Sequence, residues 1–276
     1  MQRKLTAIAS LFLTYSAVSS HAYAGETLER VEKNKELVAV MDQSYPPYSF
    51  INEKNEVDGF DADVVKAVAE RLGVKATLQT PSWEVIIAGH WRGRWDICIC
   101  SMTPDEQKAQ VLDFVAPYYS SPAVLVTTID SPIKSNADLE GKKVGVQQGS
   151  TYERFLNKDL NIGFGAKTVV YPFKQVSPAT YASEDMAYQD LALGAGKRLD
   201  AVVSNLVTAN TRIQAQPGKF HIVDKPLYEE PNWVAIDKGD QAWHDKLKQT
   251  IEALRQDGTL AKISKKWIGS DVTQAN

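Results

Sequence analysis

Four places along the chain put small polar side chains directly behind a short apolar run. Asp42 and Tyr45 follow residues 37–41, Ser101 and Thr103 follow 97–100, Ser150 and Thr151 follow 142–147, and Ser204 and Asn205 follow 199–203. Hydroxyls, amides and a carboxylate can satisfy the groups of a small polar ligand, and a helix start just downstream favours an anionic one. Singly, such residues are ordinary turn and cap formers. Repeated behind four separate runs, they fit a binding site as well as they fit ordinary turns and caps.

Bond-making chemistry has less support. His90, His221 and His244 are far apart and lack metal-ligand spacing, so no metal site is expected. No nucleophile-elbow pattern occurs. Gly194-Ala195-Gly196-Lys197 lacks the spacing and hydroxyl of a phosphate loop and reads as a helix-ending turn. No catalytic constellation and no cofactor are therefore expected. Glu84, Glu153, Glu184 and Asp185 are the acids to try if the chain were an enzyme that protonates a leaving hydroxyl.

The elements that must position these residues alternate. Residues 37–41 read as a buried strand, and Pro46-Pro47 forces a loop after it. Phe60, Val64, Val68 and Leu72 recur every fourth residue, with Asp61 as the expected cap and Gly73 as the stop of an amphipathic helix. Residues 83–90 read as a second helix and 97–100 as a strand. A second cycle follows Asp130-Ser131-Pro132: strands over 142–147, 168–171 and 199–203, helices from 152 and over 184–193, then a helical segment over 245–260. The pattern predicts an α/β fold built from two units in tandem, each with a mainly parallel sheet. Ligands collect beyond the carboxyl ends of strands in such sheets, which is where the polar residues lie. Residues 157–183 are otherwise illegible.

Composition narrows the setting. Arg3 and Lys4, a mostly apolar run over 5–18 and Ala22-Tyr23-Ala24 form a secretory signal peptide over residues 1–24, cleaved after Ala24. Its apolar run is too short to span a bilayer, and no second long one exists. Losing the two leader cations takes 31 basic side chains to 29 against 34 acidic ones, a mildly acidic chain with no footprint for nucleic acid. Cys98 and Cys100 lie two apart on a strand, a poor geometry for a bridge, and read as buried small hydrophobes.

Several segments together carry a resemblance: Tyr45-Pro46-Pro47-Tyr48, Asp58-Gly59-Phe60-Asp61, Trp95-Asp96-Ile97, Asp113-Phe114, Val144-Gly145-Val146-Gln147-Gln148-Gly149-Ser150-Thr151, Leu199-Asp200-Ala201-Val202-Val203, Asp257-Gly258-Thr259 and Lys266-Trp267-Ile268-Gly269. In this order they resemble the periplasmic solute-binding proteins of polar amino acid ABC importers, bacterial extracellular solute-binding protein family 3. The resemblance implies a two-lobed periplasmic binding protein fold of type II, with a hinge and an interlobe cleft. Lobe 1 would comprise 25–125 plus 230–276 and lobe 2 would comprise 126–229. It further implies a monomer in the periplasm that passes a small-molecule solute to an ABC permease in the inner membrane. A few proteins resembling this family are exported dehydratases acting on prephenate or arogenate, which is the alternative reading.

Site residues follow from the same resemblance. Asp42 and Tyr45 match the first ligand loop, Trp83 the position that lays an apolar side chain over the ligand, and Ser101 and Thr103 the contacts to its main-chain groups. Ser150 and Thr151 match the second lobe's hold on a carboxylate. Two positions depart. Lys108 stands where members that bind α-amino acids usually carry arginine, and an ammonium cannot copy the guanidinium fork. Asn205 stands where an aspartate usually neutralises the ligand's ammonium. Both departures argue against an ordinary L-α-amino acid and leave open an opine, a betaine or another amine. If Lys108 faces solvent on its helix, the first departure loses its meaning.

Overall fold

The computed structural model describes residues 25–274; the leader read from residues 1–24 lies outside the described residues. Helix α1 (Glu26–Asn34) leads into strand β1 (Glu36–Val40). A small antiparallel sheet of β2 (Ser44–Tyr45), β3 (Ser49–Ile51) and β4 (Val57–Asp58) fills the connection to α2 (Phe60–Leu72). Then come β5 (Lys75–Gln79), α3 (Trp83–Ile87), β6 (Ile97–Met102), α4 (Lys108–Val111) and the long strand β7 (Leu112–Thr128). Past a 3-10 turn (Asn136–Leu139), the second half runs β8 (Lys143–Gln147), α5 (Thr151–Asn157), β9 (Ser177–Tyr181), α6 (Glu184–Leu191), β10 (Ala201–Asn205) and α7 (Leu206–Ala215). The long strand β11 (Phe220–Asp237) returns to α8 (Gln241–Gln256) and α9 (Thr259–Ile268).

The main sheet has the order β5-β1-β6-β11-β7-β10-β8-β9. Parallel pairing holds at each end, but β7 and β11 run antiparallel to each other, from Leu112↔Asp237 to Thr128↔Phe220. The sheet is thus mixed where sequence periodicity suggested mainly parallel. Parallel neighbours need a crossover helix, whereas these two strands carry the chain directly from one half to the other. At about 3.3 Å per residue, 17 residues of β7 reach roughly 55 Å, enough to serve both halves. One apolar cluster draws on residues from Val31 to Tyr119 and from Val234 to Leu260; two others draw on residues from Ala123 to Tyr228. The result is the expected two-lobed α/β fold. No helix among the described residues is long and apolar enough to cross a membrane.

Local differences from the sequence reading have physical causes. Asp61 is no cap: Gly59 holds that position, and Asp61 lies fully buried, accepting from the Ser101 hydroxyl at 2.8 Å and the Tyr118 hydroxyl at 2.8 Å. The helix from Trp83 stops at Ile87, because Gly89 and His90 adopt positive φ. Residues 168–171 form no strand. Val169 and Tyr171 pack onto the core of the second half while Val170 is 76% exposed, and Ser177–Tyr181 pairs with β8 instead. Cys98 and Cys100 are both buried, as expected, but they are joined by a disulfide, with Cα atoms 5.3 Å apart. Between Cys98 and Met102, β6 spends four residues where β11 spends two, and this irregularity draws the pair closer than a regular strand would.

Candidate functional site

A cavity of about 40 Å³ lies where the two halves meet. From the first half, Asp42 and Tyr45 come off the end of β1, Trp83 opens α3, Ser101 and Thr103 sit at the end of β6, and Lys108 opens α4. From the second, Gln147 ends β8, Ser150 caps α5, and Thr151 and Tyr152 form its first turn; Glu230 enters from β11. Eight of the nine sequence-derived residues therefore converge on one space. Lys108 points into it and is 5% exposed, which rules out a solvent-facing lysine.

Asn205 lies outside this lining. Its Oδ1 accepts from Tyr48 (3.1 Å), Ser121 (2.8 Å) and the backbone N–H of Val207 (3.0 Å), capping α7. Tyr48 is itself fully buried between Tyr45 and Tyr119, so it belongs to the support beneath the loop. Gln147, Tyr152 and Glu230 escaped sequence reasoning. Gln147 ends the strand read over 142–147 and Tyr152 begins the helix after it, so strand-end logic could have found the first two; nothing local marks Glu230.

The halves are tied across the cavity. The Tyr45 and Tyr152 hydroxyls are 2.9 Å apart, and the Gln147 amide donates to the Asp42 carboxylate at 2.9 Å. Beneath them Asp61 fixes the turn at Ser101, which adopts a left-handed φ of 55° and donates its N–H to the Tyr118 oxygen at 2.7 Å. Lys108 forms an ion pair with Asp105 and donates to the Thr103 carbonyl at 3.4 Å. Burial raises the Asp105 carboxyl, but the Lys108 ammonium and hydrogen bonds outweigh it and leave the pKa below the ordinary value. Glu230 takes a bond from the Thr151 hydroxyl, and burial pushes its pKa up to about 7.

The match to known proteins is decisive for the family. Residues 37–270 fit the model of bacterial extracellular solute-binding proteins, family 3. This chain belongs to that family. As a family member it resembles a probable amino-acid ABC transporter-binding protein of Haemophilus influenzae, 31% identical over 99% of this chain and all of the relative. The L-cystine-binding protein TcyJ of Escherichia coli K12 is 28% identical over 94% of this chain and 92% of its own. Among solved structures, an ancestral amino acid-binding protein described as a precursor of cyclohexadienyl dehydratase is 29% identical, with a TM-score of 0.75 over 88% of this chain and 99% of the other. All three are described as binding proteins, the first of them of an amino-acid ABC transporter. This family member is the exported solute-binding component of an ABC importer, and not an enzyme.

Trp83 is 9% exposed and closes one side of the cavity. Trp83→Ala is expected to weaken the bound solute roughly tenfold or more, the scale of one lost aromatic contact. Titration calorimetry measures it, and an unchanged affinity removes Trp83 from the site.

Proposed function

We propose that the mature chain, cut after Ala24, works as a monomer in the periplasm. It captures a small polar, amine-containing or amino-acid-like solute in the cavity and delivers it to an inner-membrane ABC permease. Lobe 1 comprises 25–125 plus 230–276 and lobe 2 comprises 126–229; the apolar clusters support the second bound, between Tyr228 and Val234, and favour a first crossing a few residues earlier, between Tyr119 and Ala123. The observation that carries the reading is the convergence of Asp42, Tyr45, Trp83, Ser101, Thr103 and Lys108 with Ser150 and Thr151 around one cavity. The ligands for which these relatives are named, amino acids and cystine, support the solute class. A mildly acidic chain supports a role without nucleic acid.

The dehydratase reading draws on the likeness to a dehydratase precursor, but none of Glu84, Glu153, Glu184 and Asp185 lines the cavity. Mass spectrometry of what co-purifies from the native periplasm, followed by calorimetry with amino acids, opines, betaines and polyamines, tests the proposal. One saturating ligand recovered unchanged is the expected result. Product formed from prephenate overturns it.

A further inference from the structure

Resting on this cavity as the solute site, we propose that Glu230 occupies the place a guest carboxylate would take, so that the solute is a small organic cation without a carboxylate of its own. The donors are the first reason. A hydroxyl has one proton to give. The Ser101 hydroxyl gives its proton to Asp61 (2.8 Å), Thr103 to the Asn232 side chain (3.3 Å), Ser150 to the Gln147 carbonyl (2.6 Å) and Thr151 to Glu230 Oε1. All four serine and threonine hydroxyls are committed within the protein, and one of the paired Tyr45 and Tyr152 hydroxyls donates to the other; what the four still present to a guest is lone pairs. Such a lining suits a donor-rich guest.

Charge points the same way. Lys108 is the one basic side chain in the lining, and Asp105 already pairs with it. Its charge also favours the ionised form of Glu230. Asp42 and Glu230 both face the cavity, so an entering carboxylate meets two like charges and no unengaged cation. An ammonium or guanidinium meets two carboxylates instead, with the aromatic side chains of Tyr45, Trp83 and Tyr152 in the same lining. Glu230 is 2% exposed, and its Oε1 accepts from the Thr151 hydroxyl and from the Tyr228 hydroxyl at 3.5 Å. Burial disfavours the charged carboxylate by more than the Lys108 charge favours it; a guest cation relieves that cost. The small volume left between the halves fits a compact head group.

Matched pairs that differ only by the carboxylate test the idea on the unmodified mature protein: ornithine and putrescine, lysine and cadaverine, arginine and agmatine, by calorimetry near pH 8. At least one amine is expected to bind saturably and at least tenfold tighter than its amino acid. Glu230→Gln is expected to weaken that amine by tenfold or more and to narrow or reverse the preference within the pair. An amino acid binding as well as or better than its amine overturns the proposal while leaving the transport role standing. Silence from every pair overturns it too. A solute converted during the titration would instead overturn the transport role itself. The pair comparison needs no variant, so a misfolded Glu230→Gln does not remove the test.

Discussion

Gly59→Ala is expected to destabilise the protein by on the order of 3 kcal/mol or more, enough to threaten folding at ordinary temperature. Gly59 adopts φ +123°, where an L side chain is strained, and a Cβ there would lie 2.3 Å from the Tyr48 carbonyl oxygen and 2.9 Å from that of Pro47. Those atoms are backbone and cannot swing aside. They also accept the first N–H groups of α2: Phe60 donates to Pro47 at 3.0 Å and Asp61 to Tyr48 at 2.8 Å. Moving them to admit a methyl breaks the bonds that hold the Tyr45 loop against the helix, so solute affinity should fall along with stability. Gly73→Ala is the control. It ends the same helix at φ +70° with nothing within 4 Å of an added Cβ, so only the conformational cost of about 1 kcal/mol applies. Urea unfolding of both variants makes the comparison; equal losses would show that the close approach at Gly59 has no energetic weight.

What the sequence made legible follows from how local each signal is. Helix α2 could be read because its apolar residues repeat every fourth position and Gly73 ends it, and both facts lie within fourteen residues. The short buried strands β1, β6, β8 and β10 could be read because all their apolar residues sit together, and the polar residues behind β1, β6 and β8 then marked the cavity, while those behind β10 lie outside it. The hinge strands β7 and β11 could not. Pro117, Pro122 and Pro231 interrupt them, and proline argues against a central strand. Their pairing also joins residues about a hundred positions apart. Glu230 was hidden for the same reason: alone on such a strand it reads as a solvated glutamate, and only the fold brings it to Thr151, 79 residues away. Asp61 misled in the opposite direction. An acid at a helix start usually caps it, whereas here a glycine caps and the acid reaches into the core to hold Ser101. The disulfide depended on an irregular pairing register that two cysteines in sequence do not announce.

The same buried acids set the second large effect: the solute-free protein should melt at a lower temperature at pH 8 than at pH 5. Asp61, Glu184 and Glu230 are each pushed to a pKa of about 7, chiefly by burial. Bonds from Tyr118 and Ser101 to Asp61, Arg212 and Ser204 beside Glu184, and Thr151 and Tyr152 at Glu230 offset that only in part. In the unfolded chain such carboxyls titrate near 4. The folded state therefore holds more protons between about pH 4 and 7, and the stability this confers is complete below the unfolded pKa and lost as pH rises through 7. Asp63 and Asp105 work outside this window: lysine partners outweigh their burial and lower them, so their contribution fades only in stronger acid. His221, lowered by burial, opposes the trend but is half-exposed. At about 1.4 kcal/mol per tenfold change in protonation equilibrium, and about 2–4 °C per kcal/mol for a chain of this size, the melting temperature should fall by at least about 5–10 °C. Calorimetric melts across the range measure it, and a flat or rising profile would contradict the burial of these groups as charged-state penalties. Asp61→Asn keeps the shape without the charge and should flatten part of the slope. If a cation sits at Glu230, saturating solute should flatten another part, because the carboxylate it faces no longer gains by taking up a proton.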